Sequence, residues 1–208
     1  MEPFISLSGI AAPLFEANID TDKLIPHRFL RKPLSAGYRN FLFHDQRFTP
    51  EGVAVADFVL NRAVYGEAKI LVVGANFGCG STREGAVYAL MDFGIRAVIA
   101  PGFGDIFEAN CLQNGLLPVK LDEAVVEKLA AALEAAPGAT VSIDLAAQTA
   151  TLLDGSTHAF AIDAERKRRL LKGLDDIGIT FEFSREIDAF ETQYKARIHW
   201  LPKMERQT

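Results

Sequence analysis

The chain has 208 residues, 49% hydrophobic and 24% charged, with a net charge of -5. That length fits one large domain or a domain with an appendage, able to bury roughly 70% of its unfolded surface. The acidic balance argues against nucleic acid, no apolar run approaches the ~18 residues of a membrane span, and two cysteines, Cys79 and Cys111, give no disulfide framework and fit a reducing cytoplasm.

Met1-Glu2-Pro3-Phe4 lacks the basic start and apolar stretch of a signal peptide. Residues 5–15 carry apolar positions broken by Gly9 and Pro13, which predicts one or two short strands. Asn18-Ile-Asp-Thr-Asp-Lys-Leu-Ile-Pro26 reads as a polar turn. Residues 27–62 show no clean periodicity. They hold basic Arg28, Arg31, Lys32 and Arg39 and aromatic Phe29, Tyr38, Phe41 and Phe43, with Pro33 and Gly37 as breakers. An irregular stretch of this length inside a domain points to function.

The middle is more regular. A strand over 69–74 leads to a helix over 82–93 that opens at Ser81, with Val87, Leu90 and Met91 on one face and Gly94 at its end. A strand over 95–100, a helix over 105–114 stopped by Gly115 and a strand over 116–121 complete a βαβαβ run. Parallel strands with right-handed crossovers are expected. Asp122 then caps a helix bearing Val125, Val126, Leu129 and Leu133, ended by Pro137-Gly138. Alternating runs over 141–145, 149–153 and around His158, Phe160 and Ile162 predict antiparallel strands. Asp163 caps a helix with Leu170, Leu171, Leu174 and Ile177, closed by Gly178, on which Arg166-Lys167-Arg168-Arg169 reads as a solvated face. A final helix from about Arg185 carries Ile187, Phe190, Tyr194 and Ile198. The expected division is an α/β domain over 1–184 and a helical extension over 185–208. That extension is either an arm on another chain or a helix folded onto its own domain.

Chemistry concentrates in Gly74-Ala75-Asn76-Phe77-Gly78-Cys79-Gly80-Ser81-Thr82-Arg83-Glu84. Strand, glycine loop and helix start together form an anion cradle. Ser81-Thr-Arg-Glu84 also fits a capping box, with Ser81 as N-cap and Glu84 at N3. Arg83 would then sit at N2, against the helix dipole, an arrangement favourable only beside an anion. Its planar fork suits a carboxylate. No lysine precedes the Ser-Thr pair as a P-loop requires, Arg83 stands where a dinucleotide fold needs its third glycine, and no Gly-x-Ser-x-Gly occurs. A small carboxylate is therefore favoured over a nucleotide. His27, His44, His158 and His199 show no metal-ligand spacing, and two thiols cannot hold a four-iron cluster.

These residues carry a resemblance. Gly78-Cys79-Gly80-Ser81-Thr82-Arg83-Glu84 resembles the Gly-x-Gly-Ser-Ser-Arg-Glu-His motif of the swivelling β/β/α domain of the aconitase superfamily. Residues 18–30, 97–107 and 114–120 are similar, in order, to the small-subunit family of the 3-isopropylmalate dehydratases. The resemblance implies the aconitase-type swivelling fold, with a parallel βαβαβ core, antiparallel strands and C-terminal helices. It implies a cytoplasmic hydro-lyase of leucine biosynthesis that interconverts 2- and 3-isopropylmalate through isopropylmaleate, active only with a large subunit. No cofactor is then expected in this chain; a 4Fe–4S cluster is expected in that partner, its iron a Lewis acid on the departing hydroxyl. By the same resemblance Ser81 is the base, and Thr82 and Arg83 hold a substrate carboxylate. Gly78, Cys79, Gly80, Asp20, Thr21 and Asp22 support the site. Segment 27–44 forms a specificity wall from which Arg28 or Arg31 reaches the substrate. The chain departs from the pattern at Thr82, at Gly85 in place of histidine, and at Val87-Tyr88 in place of Pro-Trp. A hydro-lyase for another 2-hydroxy diacid, 2-methylmalate or homoaconitate, is the alternative reading, followed by a non-catalytic carboxylate-binding module.

Overall fold

The computed structural model describes residues 1–80 and 82–198; Ser81, with its expected roles as base and cap, and His199 lie outside the described residues. In chain order, strand β1 (Ser6–Leu14) is followed by a short helix α1 (Thr21–Leu24) and a run of 3-10 turns interrupted by α2 (His44–Arg47). Then come β2 (Ile70–Val73), α3 (Gly85–Phe93), β3 (Ala97–Ala100), α4 (Asp105–Asn114) and β4 (Leu117–Lys120). After α5 (Glu123–Ala135) follow β5 (Thr140–Asp144), β6 (Thr149–Thr151), β7 (Thr157–Ala159) and α6 (Ala164–Lys172). These make one compact unit, Met1–Gly173; a second begins at Leu174 and holds α7 (Asp176–Glu182) and α8 (Ser184–Arg197).

The sheet runs β4-β3-β2-β1-β5-β6-β7. The predicted βαβαβ run is parallel, and the later strands pair antiparallel, as their alternation required. Residues 5–15 form one strand, not two, and it is where the sheet changes character. Ser6 to Ile10 pair antiparallel with β5, and Ala11 to Leu14 pair parallel with β2. Pro13 falls in the half that pairs with β2 alone, a position where the missing N–H costs no second ladder.

All residues of β2 and β3 are buried, because helices and turns cover both faces of this part of the sheet. Strand alternation divides them. Ala12, Leu71, Val73, Val98 and Ala100 pack against Val87 and Leu90 of α3 and against Tyr38, Leu42 and Phe43 of the irregular segment. Ala11, Ile70, Val72, Ala97 and Ile99 pack against Val126, Leu129 and Leu133 of α5 and Leu170 of α6. Each valine, leucine or isoleucine among them contributes about 1.5–3 kcal/mol by burial.

Two predicted helices are corrected. The helix expected to run from Asp163 to Gly178 stops at Gly173, whose φ is 68°. The chain start docks there: the Met1 ammonium donates to Gly173 O (3.2 Å), and Phe4 N–H donates to Leu170 O (2.8 Å). Asp175 opens the separate α7 by accepting from Gly178 N–H. The second correction concerns α3, which begins at Gly85 and not at Ser81 or Thr82; its cause lies in the site. Asp163 caps α6 as expected, accepting from Glu165 and Arg166 N–H at 3.0 Å, whereas Asp122 at the head of α5 makes no side-chain cap bond. Among the described residues no helix is long and apolar enough to cross a membrane.

Candidate functional site

Beyond the ends of β1, β2 and β3 the chain keeps pairing. Gly74 N–H donates to Glu16 O (3.1 Å), Asn18 N–H to Ala75 O (2.8 Å), Gly78 N–H to Ile19 O (2.7 Å) and Thr21 N–H to Cys79 O (3.0 Å). On the other side Phe77 N–H donates to Gly102 O (3.1 Å) and Gly104 N–H to Phe77 O (2.9 Å). Three loops are thus knitted together at the carboxyl ends of parallel strands, where open α/β sheets place ligands. Asn76, Gly78 and Gly80 take positive φ, at 58°, 74° and 98°. Gly78 has a second constraint: a Cβ there would lie 2.2 Å from the Phe107 ring.

The segment 20–22 converges on this loop. Asp20 caps α1 by accepting from Lys23 N–H at 2.7 Å, and its backbone bridges to Cys79. Asp22 Oδ1 accepts from Arg83 Nη1 at 3.1 Å. Between the loop and α3, residues 82–84 belong to no regular element, and each is held from outside or from the helix beyond. Thr82 O accepts from Asn110 Nδ2 of α4 (3.2 Å), Arg83 is oriented by Asp22, and Glu84 Oε2 accepts from Tyr88 Oη (2.5 Å). A helix running through Thr82 would give its carbonyl to the Ala86 N–H; Asn110 takes that carbonyl instead. Hence Glu84 becomes the N-cap, without a side-chain cap bond. Arg83 precedes the cap and does not occupy N2, and Glu84 stands at the N-cap and not at N3.

Arg28 and Arg31 lie in different settings. Arg28 makes a two-pronged ion pair with Asp45, with Nη1 3.0 Å from Oδ2, and its Nη2 lies 3.2 Å from His44 Nδ1. The hydrogen bond from Arg28 holds the Asp45 carboxyl below its usual range. Arg31 is exposed. Its neighbour Leu30 reaches α3: a Cβ on Gly85 would lie 2.9 Å from Leu30 Cδ2 and 3.7 Å from Tyr38. Tyr38 also meets Tyr88 edge-on, with ring centroids 6.2 Å apart. The irregular segment is therefore docked on the first turn of α3.

Sequence reasoning missed Asn110, Asp45 and Tyr88. Tyr88 had a signal, four residues after Glu84 on the same helix face. Asn110 and Asp45 had none, because their partners are distant in sequence. Cys79 is partly exposed and Cys111 is buried, its thiol pushed well up by burial and by the charge of Glu108. A cluster would need three or four accessible thiolates, so the residues present here do not fit one. No group of three His, Cys, Asp or Glu residues among those described is placed to hold a metal ion.

Residues 1–124 match the family model of the aconitase C-terminal domain, and residues 127–164 match a model described as LeuD_N. A 3-isopropylmalate dehydratase small subunit of Paramagnetospirillum magneticum is 50% identical over 201 residues, 97% of this chain and 100% of that protein. Its counterpart from Rhodospirillum rubrum is 49% identical over 202 residues, 97% of this chain and 98% of that one. A crystal structure of 3-isopropylmalate dehydratase from Methanocaldococcus jannaschii superposes with a TM-score of 0.60 at 26% identity, covering 91% of this chain and 99% of that one. By sequence along almost its whole length and by fold, the chain belongs to the family of 3-isopropylmalate dehydratase small subunits.

Proposed function

We propose that the chain supplies one half of a hydro-lyase active site, as the small subunit of a 3-isopropylmalate dehydratase completed by a large-subunit partner. The observation that carries this reading is the convergence of the glycine loop, Asp22 and Arg83 at the carboxyl ends of β1 and β2. In this reading Arg83, oriented by Asp22, receives a substrate carboxylate together with the Thr82 hydroxyl. Ser81 removes the proton from carbon as hydroxide departs, giving isopropylmaleate; that proton and the hydroxide together are the water lost. In the return step hydroxide adds at the neighbouring carbon, and Ser81 gives its proton to the carbon that lost the hydroxyl. A serine is a weak base at its ordinary pKa and needs a cation close by; in this reading Arg83, two residues on in the chain, supplies it. Since Cys79 and Cys111 do not fit a 4Fe–4S cluster, that group is assigned to the partner, and the complex to a reducing cytoplasm.

Leu30, laid over Gly85, gives the wall segment an apolar surface next to the site turn. That supports a branched alkyl substituent over the extra carboxylate of homoaconitate. Arg28 is engaged by Asp45, which supports Arg31 as the more available cation of the segment. The extension over 185–208 is assigned to the same partner, on the strength of α8, which exposes Phe190 (66%) and Tyr194 (45%).

The test is to co-purify the chain with the large subunit and assay 2-isopropylmalate dehydration anaerobically. Ser81→Ala is expected to lower kcat by roughly 10²- to 10⁴-fold, the usual worth of a positioned base. Retention of most activity in that variant would falsify the base role.

A further inference from the structure

A carboxylate-binding turn that contains a glutamate poses a problem. Glu84 follows Arg83 directly and sits at the head of α3. A free carboxylate there would compete for Arg83 and repel an incoming dianion. The structure shows where the charge goes. Glu84 Oε2 accepts from Tyr88 Oη at 2.5 Å, one helical turn further on. Tyr88 is partly buried and is backed edge-on by Tyr38, whose own hydroxyl donates to Lys32 O at 3.0 Å. The phenol is therefore fixed in place by the wall segment. Its pKa is pushed up to about 12, first by the bond to Glu84, so it stays a donor throughout the physiological range.

Resting on the functional reading above, we infer that Tyr88 is a positioning residue which binds the Glu84 carboxylate and so keeps it away from the Arg83 guanidinium and the head of α3, where that reading places the substrate carboxylate. Tyr88 touches no substrate in this account. It acts by holding a protein anion out of a substrate anion's place.

The experiment uses the complex of both subunits and three variants: Tyr88→Phe, Glu84→Gln and the double variant. Tyr88→Phe keeps the ring against Tyr38 and deletes only the donor. It is expected to raise KM for 2-isopropylmalate by about ten-fold, equivalent to about 1.4 kcal/mol, with a smaller change in kcat. Glu84→Gln alone is expected to leave KM within about two-fold, since Tyr88 already binds the charge it removes. The double variant is expected to recover the native KM, because the released side chain is now neutral.

An unchanged KM in Tyr88→Phe overturns the inference. So does a double variant as impaired as Tyr88→Phe, since lost packing is not rescued by removing a charge. A marked fall in KM for Glu84→Gln alone also overturns it, because the charge would then be felt despite Tyr88. Should Tyr88→Phe not fold, that third outcome still decides. Calorimetric affinities for 2-isopropylmalate, 2-methylmalate and homoaconitate separate this inference from the functional reading. If the native complex prefers another diacid, the substrate assignment falls, and the same three variants are compared with that diacid. A native complex that binds none of the three overturns both.

Discussion

Gly78→Ala is the substitution whose cost the structure lets one divide into parts. The residue has φ of 74°, and a Cβ built there lies 2.2 Å from Phe107 Cγ and 2.5 Å from Cδ1. The ring has little room to yield. Phe107 is 1% exposed, meets Phe77 edge-on at 5.4 Å and stacks toward Phe103 at 6.4 Å. Nor can the loop move toward residues 101–104 freely, because a Cβ at Gly104 would already lie 2.8 Å from Gly78 O. The left-handed backbone costs an alanine about 1–2 kcal/mol, and forcing a methyl into a packed site costs about 1–3 kcal/mol more. Gly52 is the control: its φ is 81° and nothing lies within 4 Å of its Cβ position. Gly52→Ala therefore pays only the backbone part. Urea unfolding followed by far-UV circular dichroism, at a shared m-value, should place Gly78→Ala below Gly52→Ala by about 1–3 kcal/mol. Equal midpoints for the two variants would refute the claim that Phe107 is what makes glycine necessary at this position.

Two further outcomes follow from the same kind of accounting. Arg47 is 7% exposed and donates to Asn61 Oδ1 (2.9 Å), Arg39 O (2.8 Å) and Leu42 O (3.3 Å). Arg47→Met is expected to cost about 2–3 kcal/mol, because these acceptors are left buried without their donor; a urea midpoint shift worth under ~0.5 kcal/mol would sink the argument. Glu165 is lowered from 4.5 to about 2, chiefly by the hydrogen bond from Arg168, and Asp45 is lowered by the bond from Arg28. Depressed folded values mean a stabilisation that is present above the unfolded pKa and lost as pH falls through the folded one. Melting temperatures measured from pH 5 down to about 2 should thus fall less steeply in Glu165→Gln with Asp45→Asn than in the native chain. Parallel curves would show that neither pair matters to folding.

The sequence by itself determined most of the elements and, through the motif at 78–84, the family. Apolar runs with short periods and glycine stops were enough for β2, α4 and β4 and for the antiparallel β5, β6 and β7, because propensity, burial and turn residues agree there. The Gly-rich loop with its Ser-Thr-Arg-Glu sequence was readable as a sharp turn after β2, since its glycines have a local reason. Tertiary structure alone decided how that loop is assembled. A capping box over 81–84 and the observed helix start at Gly85 are both locally acceptable, and Asn110, far along the chain, settles the matter by taking the Thr82 carbonyl. Gly173, not Gly178, ends α6, and the chain start packs against that end. Asp22 reaches Arg83 only because β1 and β2 are parallel neighbours whose ends remain paired. Hydrogen bonds between residues so distant in sequence leave no periodic trace in it, and they are the bonds that hold the site turn in place.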